Sequence, residues 1–429
     1  MAGFILFAIF IILITINVPV AMSLGLSSLL VLMFVEGTPP VTLFTKSLIE
    51  LSDSFPLIAL PLFILAGEIM LQGGLSRRMI LLAKVLTARL PAGLPIVNVL
   101  ASIFFSAISG SSPATVAAIG SNMIPEMTKS GYKSSFSSAL TASAGMIGVL
   151  IPPSIPFIVY GVTAGVSVGA MFLAGIIPGI MMGVMFIAIS IFLQRKDDVK
   201  NKSAAQSEEE KRVFAIFLEA SWALLAPVVI LGGIYGGIFT PTEASAIAVL
   251  YALLVSFFVY REISIWSLKD ILIKSAKVSS QILALIIFAS SFGKLATLSG
   301  MPEAVSGIFA SLTDSPILVL LIINIILLFV GMFMETIAAI IILTPILLPV
   351  AVGIGVDPIV FGVIMVVNLA IGFCTPPLGV NLFVAGAISG DSVVAITRAI
   401  IPYLLGMIAV LLAVTYFPPI SLFLVNYFY

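Results

Sequence analysis

Hydrophobic residues in this chain come in long runs separated by short polar turns. Apolar segments run at about 3–17, 20–35, 55–72, 135–162 and 168–194, and again at about 213–236, 242–260, 279–296, 359–386 and 398–417. An α-helix needs roughly 20 apolar residues to cross the hydrocarbon layer, so these segments predict ten spans. Two further segments, 95–127 and 317–351, are too broken by small, polar and proline residues to be simple crossings. They predict re-entrant hairpins, each entering and leaving on one side. Segments 75–90 and 263–278 mix basic and apolar residues at helical spacing, the pattern of helices lying in the membrane interface. The predicted fold is an all-α polytopic membrane protein.

The pattern also repeats. At an offset of about 224 residues Phe105 meets Phe329, Pro125 meets Pro349 and Gly131 meets Gly355. In the same register Gly148 meets Gly372, Pro152-Pro153 meets Pro376-Pro377, and Ile176-Ile177-Pro178 meets Ile400-Ile401-Pro402. Most of the shared residues are glycines and prolines, which set backbone shape. Five crossings per half is an odd number, so the second copy is expected to enter the membrane inverted. The predicted organisation is a first inverted repeat over 1–194, a linker over 195–212 and a second inverted repeat over 213–429. Duplicated membrane units broken at matching positions point to a secondary transporter.

Composition narrows the chemistry. Apolar residues make up 61% of the chain and charged residues 9%, against about half and a quarter in soluble domains. There is no histidine, so a histidine proton relay or a histidine-ligated metal is excluded. The single cysteine, Cys374, allows no internal disulfide and no cysteine cluster. No GxxxxGK[ST] motif is present, which argues against ATP hydrolysis. An intramembrane transferase or protease would need clustered acid–base or nucleophilic groups at one depth, and no enzyme activity is expected. The formal net charge is zero, and no nucleic-acid partner is expected. Phe4–Ile16 lacks a basic leader and reads as a retained first span.

Loop charge sets the sidedness, because cytoplasmic loops collect lysine and arginine. With the 195–212 linker in the cytoplasm, Arg77, Arg78, Lys84, Arg89, Lys129, Lys133, Arg261, Lys269, Lys274, Lys277 and Arg398 fall on the same side. The other face receives Glu303, Asp314 and Asp357, and of the basic residues Lys46 and Lys294.

The candidate chemistry lies at the breaks. Gly145-Met-Ile-Gly-Val-Leu-Ile-Pro-Pro-Ser154 and Leu369-Ala-Ile-Gly-Phe-Cys-Thr-Pro-Pro-Leu378 each interrupt an apolar span near its middle. A double proline ends a helix, and such a break survives in hydrocarbon only where it is buried in protein or lines a wet cavity. Carbonyls freed before the prolines suit a small hard cation, and the half-helix that restarts beyond them aims its amides at an anion. By the repeat, each break faces a hairpin tip: Ser109-Gly-Ser-Ser-Pro-Ala-Thr115 in the first copy and Gly331-Met-Phe-Met-Glu-Thr336 in the second. Glu335 is the one acidic residue well placed in the predicted core, and its first-copy equivalent is Ser111. Proton coupling would rest on such carboxylates, so sodium is favoured over protons. Glu68 and Glu243, near span ends, read as interfacial or paired structural groups.

At these residues the chain resembles a known family. Ala59-Leu-Pro-Leu-Phe-Ile-Leu-Ala-Gly-Glu68, Ser106-Ala-Ile-Ser-Gly-Ser-Ser-Pro-Ala-Thr115, Ile124-Pro-Glu126, Ile151-Pro-Pro-Ser-Ile-Pro156 and Leu173-Ala-Gly-Ile-Ile-Pro-Gly179 resemble the large membrane subunit of the tripartite ATP-independent periplasmic (TRAP) transporters. Gly331-Met-Phe-Met-Glu-Thr336 and Thr375-Pro-Pro-Leu-Gly-Val-Asn381 extend the likeness through the second half. The resemblance implies a substrate-translocating subunit in a bacterial or archaeal inner membrane, surrounded by lipid. Its partners would be a small four-helix membrane subunit, expected as a separate chain, and a periplasmic substrate-binding protein. It implies sodium-driven import of an organic acid, such as a C4-dicarboxylate or sialic acid, by an elevator movement. Two sodium sites are expected, one from Ser109, Gly110, Ser111 and Ser112 with Gly148 and Ile151, the other from Met334, Glu335 and Thr336 with Gly372 and Thr375. Substrate is expected between the tips, at Ser112, Thr115, Ser154, Thr336 and Asn381. A stand-alone sodium- or proton-coupled carboxylate carrier without a binding protein is the alternative.

Overall fold

Backbone polar groups in hydrocarbon must find partners within their own segment or a closed sheet, and this chain uses helices. The computed structural model describes residues 2–35, 39–52, 55–87, 93–194 and 209–429, with no strand among them. Arg89 and linker residues 195–208 lie outside the described residues. Among those described, eight helices are long and apolar enough to cross a membrane: Phe55–Gln72, Val168–Leu193, Ile216–Tyr235, Pro241–Val259, Ile265–Leu298, Pro316–Phe333, Thr336–Gly353 and Val393–Tyr416. The expected spans at 3–17 and 20–35 are shorter helices of 14 and 15 residues, Ala2–Thr15 and Val20–Phe34, because the Asn17-Val-Pro19 turn separates them.

Helix bounds keep the register read from the glycines and prolines. Gly93–Ser109 and Ser112–Lys129 form the first hairpin, and Pro316–Phe333 and Thr336–Gly353 form the second, with bounds agreeing to within a residue at the 224-residue offset. Ser134–Gly145 and Ile155–Ala164 are the two halves of the first broken helix, and Pro358–Gly372 and Val380–Ser389 are those of the second. Both Pro152-Pro153 and Pro376-Pro377 are cis.

One expected element differs. The amphipathic segment 263–278 and the span at 279–296 are a single helix, Ile265–Leu298, of 34 residues. A shift from amphipathic to apolar pattern does not itself break a helix, and residues 265–292 contain neither glycine nor proline. Pro419–Phe428 was not anticipated, nor were two further helices, Thr42–Ser52 and Met301–Leu312. At the repeat offset the latter two match the start of Ile265–Leu298 and the amphipathic helix Leu75–Thr87, so each half carries a pair of such arms.

The halves interlock in the interior. Val380–Ser389 packs on Ser112–Lys129 and Ser134–Gly145, while Ile155–Ala164 packs on Thr336–Gly353. Each half-helix that restarts after a break is therefore seated on the other copy's hairpin. Pro358–Gly372 is apolar all round and buried throughout from Val360 to Gly372, as a central helix must be. The few polar groups there bond to one another: Asn368 Nδ2 donates to Asn324 Oδ1 at 2.7 Å, and Asn324 Nδ2 donates to Thr415 Oγ1 at 3.1 Å.

Outside this core, Ile265–Leu298 packs against Val20–Phe34 and Ala59–Gln72 on one side and Thr336–Gly353 on the other. Its Lys274 pairs with Glu68 at 2.6 Å. Glu243 closes a capping box with Thr240 at the start of Pro241–Leu254. Arg78, on the arm Leu75–Thr87, is held between Glu262 (2.6 Å) and Glu219 (3.1 Å) and lies 3.6 Å over the Tyr260 ring.

Candidate functional site

The first tip turns at Gly110, whose φ of +60° is favourable only for glycine. A Cβ there would lie 2.5 Å from the carbonyl oxygen of Pro153, so the tip lies directly against the break. The Ile155 amide donates to Gly110 O at 3.3 Å, tying the restarted half-helix to the hairpin. Within the tip, Ser109 Oγ lies 2.9 Å from Thr115 Oγ1, and the Thr115 hydroxyl donates to Ser111 O at 2.9 Å. Gly148 faces this group: a Cβ on it would lie 2.5 Å from Thr115 Oγ1 and 2.7 Å from Ser111 O. Ser109, Gly110, Ser111 and Gly148 are thus brought together, joined by Thr115. Ile151 lies further along the break, with its side chain packed against Gly179.

The second tip is built differently. Glu335 is the N-cap of Thr336–Gly353, and its Oε2 accepts from the Ile337 and Ala338 amides at 3.0 and 3.1 Å. A carboxylate is well suited to the positive end of a helix. Gly372 and Gly331 meet backbone to backbone, and a Cβ on Gly372 would strike the Gly331 carbonyl. The Leu378 amide donates to Met332 O at 3.2 Å, which ties this break to its own hairpin. Thr375 turns its hydroxyl back to Ile371 O at 2.9 Å. Met334 N donates to Val330 O at 2.9 Å and closes the preceding helix.

Both tips border one cavity of about 360 Å³. Four helices begin at it, and the first residue of each lines it: Ser112, Ile155, Thr336 and Val380. Four positive helix ends converge on this space, two of them capped by side chains, Ser154 before Ile155–Ala164 and Glu335 before Thr336–Gly353. Among the described residues, Glu335 is the only charged side chain in its lining. The outer wall is supplied by Val278, Gln281, Ile282 and Leu285 of Ile265–Leu298. Gln281 escaped the sequence reading; the available signal was an amide at the start of an apolar run, next to a segment that resembles a surface arm.

Of the residues expected to meet substrate, Ser112 and Thr336 line the cavity, whereas Thr115, Ser154 and Asn381 do not. Ser154 caps the restarted half-helix, accepting from Phe157 N at 3.4 Å and donating to Val149 O at 2.6 Å. Asn381 is fully buried and donates from Nδ2 to Ser112 Oγ at 2.8 Å and to Ala142 O at 2.9 Å. It therefore fastens the second break to the first hairpin. Among the described residues no three His, Cys, Asp or Glu side chains converge, so a cation at either tip would be held mainly by carbonyl and hydroxyl oxygens, the ligands of hard ions.

Comparison with known proteins gives the family and the fold. Residues 7–420 match the family model described as tripartite ATP-independent periplasmic transporter, DctM component. The chain is 45% identical over 419 residues to the isethionate TRAP transporter permease protein DctMQ of Oleidesulfovibrio alaskensis, covering 98% of this chain and 66% of that relative, just under two thirds. It is 41% identical over 405 residues to the C4-dicarboxylate TRAP transporter large permease protein DctM of Pseudomonas aeruginosa, covering 94% of both. The crystal structure of the Alcanivorax borkumensis YdaH transporter aligns with a TM-score of 0.59 over 95% of this chain and 97% of that one, at 14% identity, a likeness of fold alone.

Proposed function

The chain belongs to the DctM component family of the tripartite ATP-independent periplasmic transporters, and from that premise we propose that it is the translocating subunit of a sodium-coupled importer of a small organic anion. It is a multi-pass inner-membrane transport protein. The observation that carries the finer reading is the convergence of four helix starts on one cavity between the two tips. Helix N-termini are anion-binding elements, and no lysine or arginine is needed in the cavity to hold a carboxylate or sulfonate. The two relatives are named for isethionate, a sulfonate, and for C4-dicarboxylates, both compatible with such a site; sialic acid is a third candidate.

Sodium would occupy the oxygen clusters behind the tips. At the first, Ser109 Oγ, Ser111 O and Thr115 Oγ1 lie around the space that Gly148 leaves open. At the second, the Gly331 carbonyl against Gly372 and the Thr375 hydroxyl are the oxygens that would serve. Coupling follows if the cation draws each tip and break together, because Ser112 and Thr336 are also the residues that begin the anion-facing helices. Transport would then be an elevator movement of hairpins and broken helices along Ile265–Leu298. In the working assembly, a small four-helix subunit and a periplasmic binding protein complete the system. The two repeats would lie inverted in the membrane, with the linker in the cytoplasm.

The test is uptake into proteoliposomes holding the chain with its small membrane partner, with binding protein outside. Radiolabelled isethionate, succinate and sialic acid are offered under an imposed sodium or proton gradient. Uptake of at least one acid driven by sodium, and abolished when choline replaces it, is the expected result. Uptake driven by the proton gradient alone would overturn sodium coupling and transfer the role to Glu335.

A further inference from the structure

The cavity between the tips has two unlike sides. Its tip side carries Ser111, Ser112, Glu335 and Thr336. Its outer wall, from Ile265–Leu298, consists of Val278, Ile282 and Leu285 with one polar side chain, Gln281. These four positions fall at i, i+3, i+4 and i+7, a single face of an α-helix. An apolar residue at 281 would complete the stripe and seal it against the tips. An amide interrupts it instead.

Gln281 is exposed, and its side chain makes no hydrogen bond to another described residue. An amide in the membrane interior is costly without a partner. The common structural use of such a group, a hydrogen bond to a neighbouring helix, is not made here among the described residues. Across the cavity, Ser112 shares hydrogen bonds with Asn381, and Glu335 Oε2 accepts from two amides of its own helix. The Gln281 amide is therefore open to a ligand.

Charge decides which ligand. Glu335 is the only charged side chain among the described lining residues, and it is acidic. Lys277, one turn before Gln281, does not line the cavity. The helices that begin at Ser112 and Val380 have no side-chain cap, which leaves their ends to one anionic group. A second anionic group on the same molecule would meet a carboxylate and no cation. A hydroxyl would meet Gln281, whose amide both donates and accepts.

We propose that Gln281 is a specificity-determining residue that reads a hydroxyl on the carried anion. The substrate class is then a hydroxylated monoanion, a hydroxysulfonate or hydroxycarboxylate, and not a dicarboxylate. The proposal rests on the reading of the tip cavity as the anion site. Uncapped helix ends hold the acid group, and the amide on the facing helix hydrogen-bonds the hydroxyl. Replacing that hydroxyl by hydrogen leaves Gln281 unpaired, and replacing it by a second acid group sets like charges together.

Probes that differ in one group test this without the binding protein, whose own selectivity is thereby removed. The full chain is purified with its small membrane partner in sodium, and its thermal unfolding is titrated with two series of acids. The sulfonates are isethionate, ethanesulfonate and 3-sulfopropionate; the carboxylates are 3-hydroxypropionate, propionate and succinate. Each series keeps a two-carbon acid and varies its far end from hydroxyl to hydrogen to carboxylate. Dissociation constants follow from the concentration dependence of the midpoint. In at least one series the hydroxyl probe is expected to bind about tenfold more tightly than the other two. Gln281→Met, similar in length and without an amide, should abolish the hydroxyl-over-hydrogen preference while leaving the hydrogen probe unaffected. Gln281→Leu is the second variant and should behave alike. Gln281→Lys should favour the carboxylate probe, because it supplies the missing cation. Equal binding of hydroxyl and carboxylate probes, or a hydroxyl-to-hydrogen ratio unchanged in both apolar variants, overturns the proposal and leaves the anion site standing. No stabilisation by any of the six acids would defeat the tip cavity as a small-anion site, and the proposal with it.

Discussion

At the residue scale, the first tip depends on the absence of a methyl group. Gly148 is a point where the break meets the hairpin oxygens, and a Cβ would lie 2.5 Å from Thr115 Oγ1. The expected outcome for Gly148→Ala is loss of sodium-driven uptake by tenfold or more, with a stability loss of about 1–3 kcal/mol from overpacking. Gly232→Ala is the control: it lies within the helix Glu209–Tyr235, where a Cβ meets nothing within 4 Å, and alanine improves helix propensity. Uptake rates and unfolding midpoints of the two variants, measured side by side, check the prediction. If Gly148→Ala transports normally, the space beside Ser111 and Thr115 is not the cation site.

At the element scale, the arm Leu75–Thr87 is held to the second half of the chain through Arg78. Its guanidinium donates to Gly74 O, Glu219 and Glu262, and stacks on Tyr260. The arginine side chain is 11% exposed, but its acidic partners are 52% and 32% exposed, so water screens much of the attraction. Arg78→Ala is therefore expected to lower stability by about 1–2 kcal/mol rather than the larger penalty of a fully buried pair. Lys should restore little, because it has neither the planar fork nor the stacking face. Thermal unfolding of the purified variants measures both; full recovery by Arg78→Lys would reduce the cluster to a simple charge contact. The same arm reaches the first hairpin through Lys84 and Glu126, 2.6 Å apart, so it touches both the bracing helices and the part proposed to move.

At the scale of the whole molecule, the interlock of the halves would make the proposed cation binding a folding matter. Each restarted half-helix sits on the other copy's hairpin, so an ion that draws one tip to its break also tightens the contact between copies. Sodium at about 100 times its dissociation constant should add about 2.7 kcal/mol per site. Thermal unfolding at fixed ionic strength is expected to show stabilisation by Na⁺ over K⁺ and choline, reduced in Gly148→Ala. Equal midpoints in all three cations would count against sodium at either tip.

The apolar runs, the two double prolines and the repeated glycines were enough to identify an all-helical membrane protein of two related halves with paired breaks and tips. These features act locally: proline removes an amide, glycine permits a turn, and twenty apolar residues need a hydrocarbon layer. Local signals also located Ser112 and Thr336 at the cavity, since each begins a helix after a tip. They could not show that Ile265–Leu298 is one continuous helix, because a change in amphipathicity alters which face is wet without breaking a hydrogen bond. Nor could they separate Ser112, which lines the cavity, from Asn381, which is buried behind it and bonded to it. That distinction, like the seating of each half-helix on the other copy's hairpin and the placing of Gln281 at the tip cavity, depends on contacts between residues far apart in the chain. Only tertiary packing decides these, because the backbone pattern of a segment specifies its shape but not which distant surface will cover it.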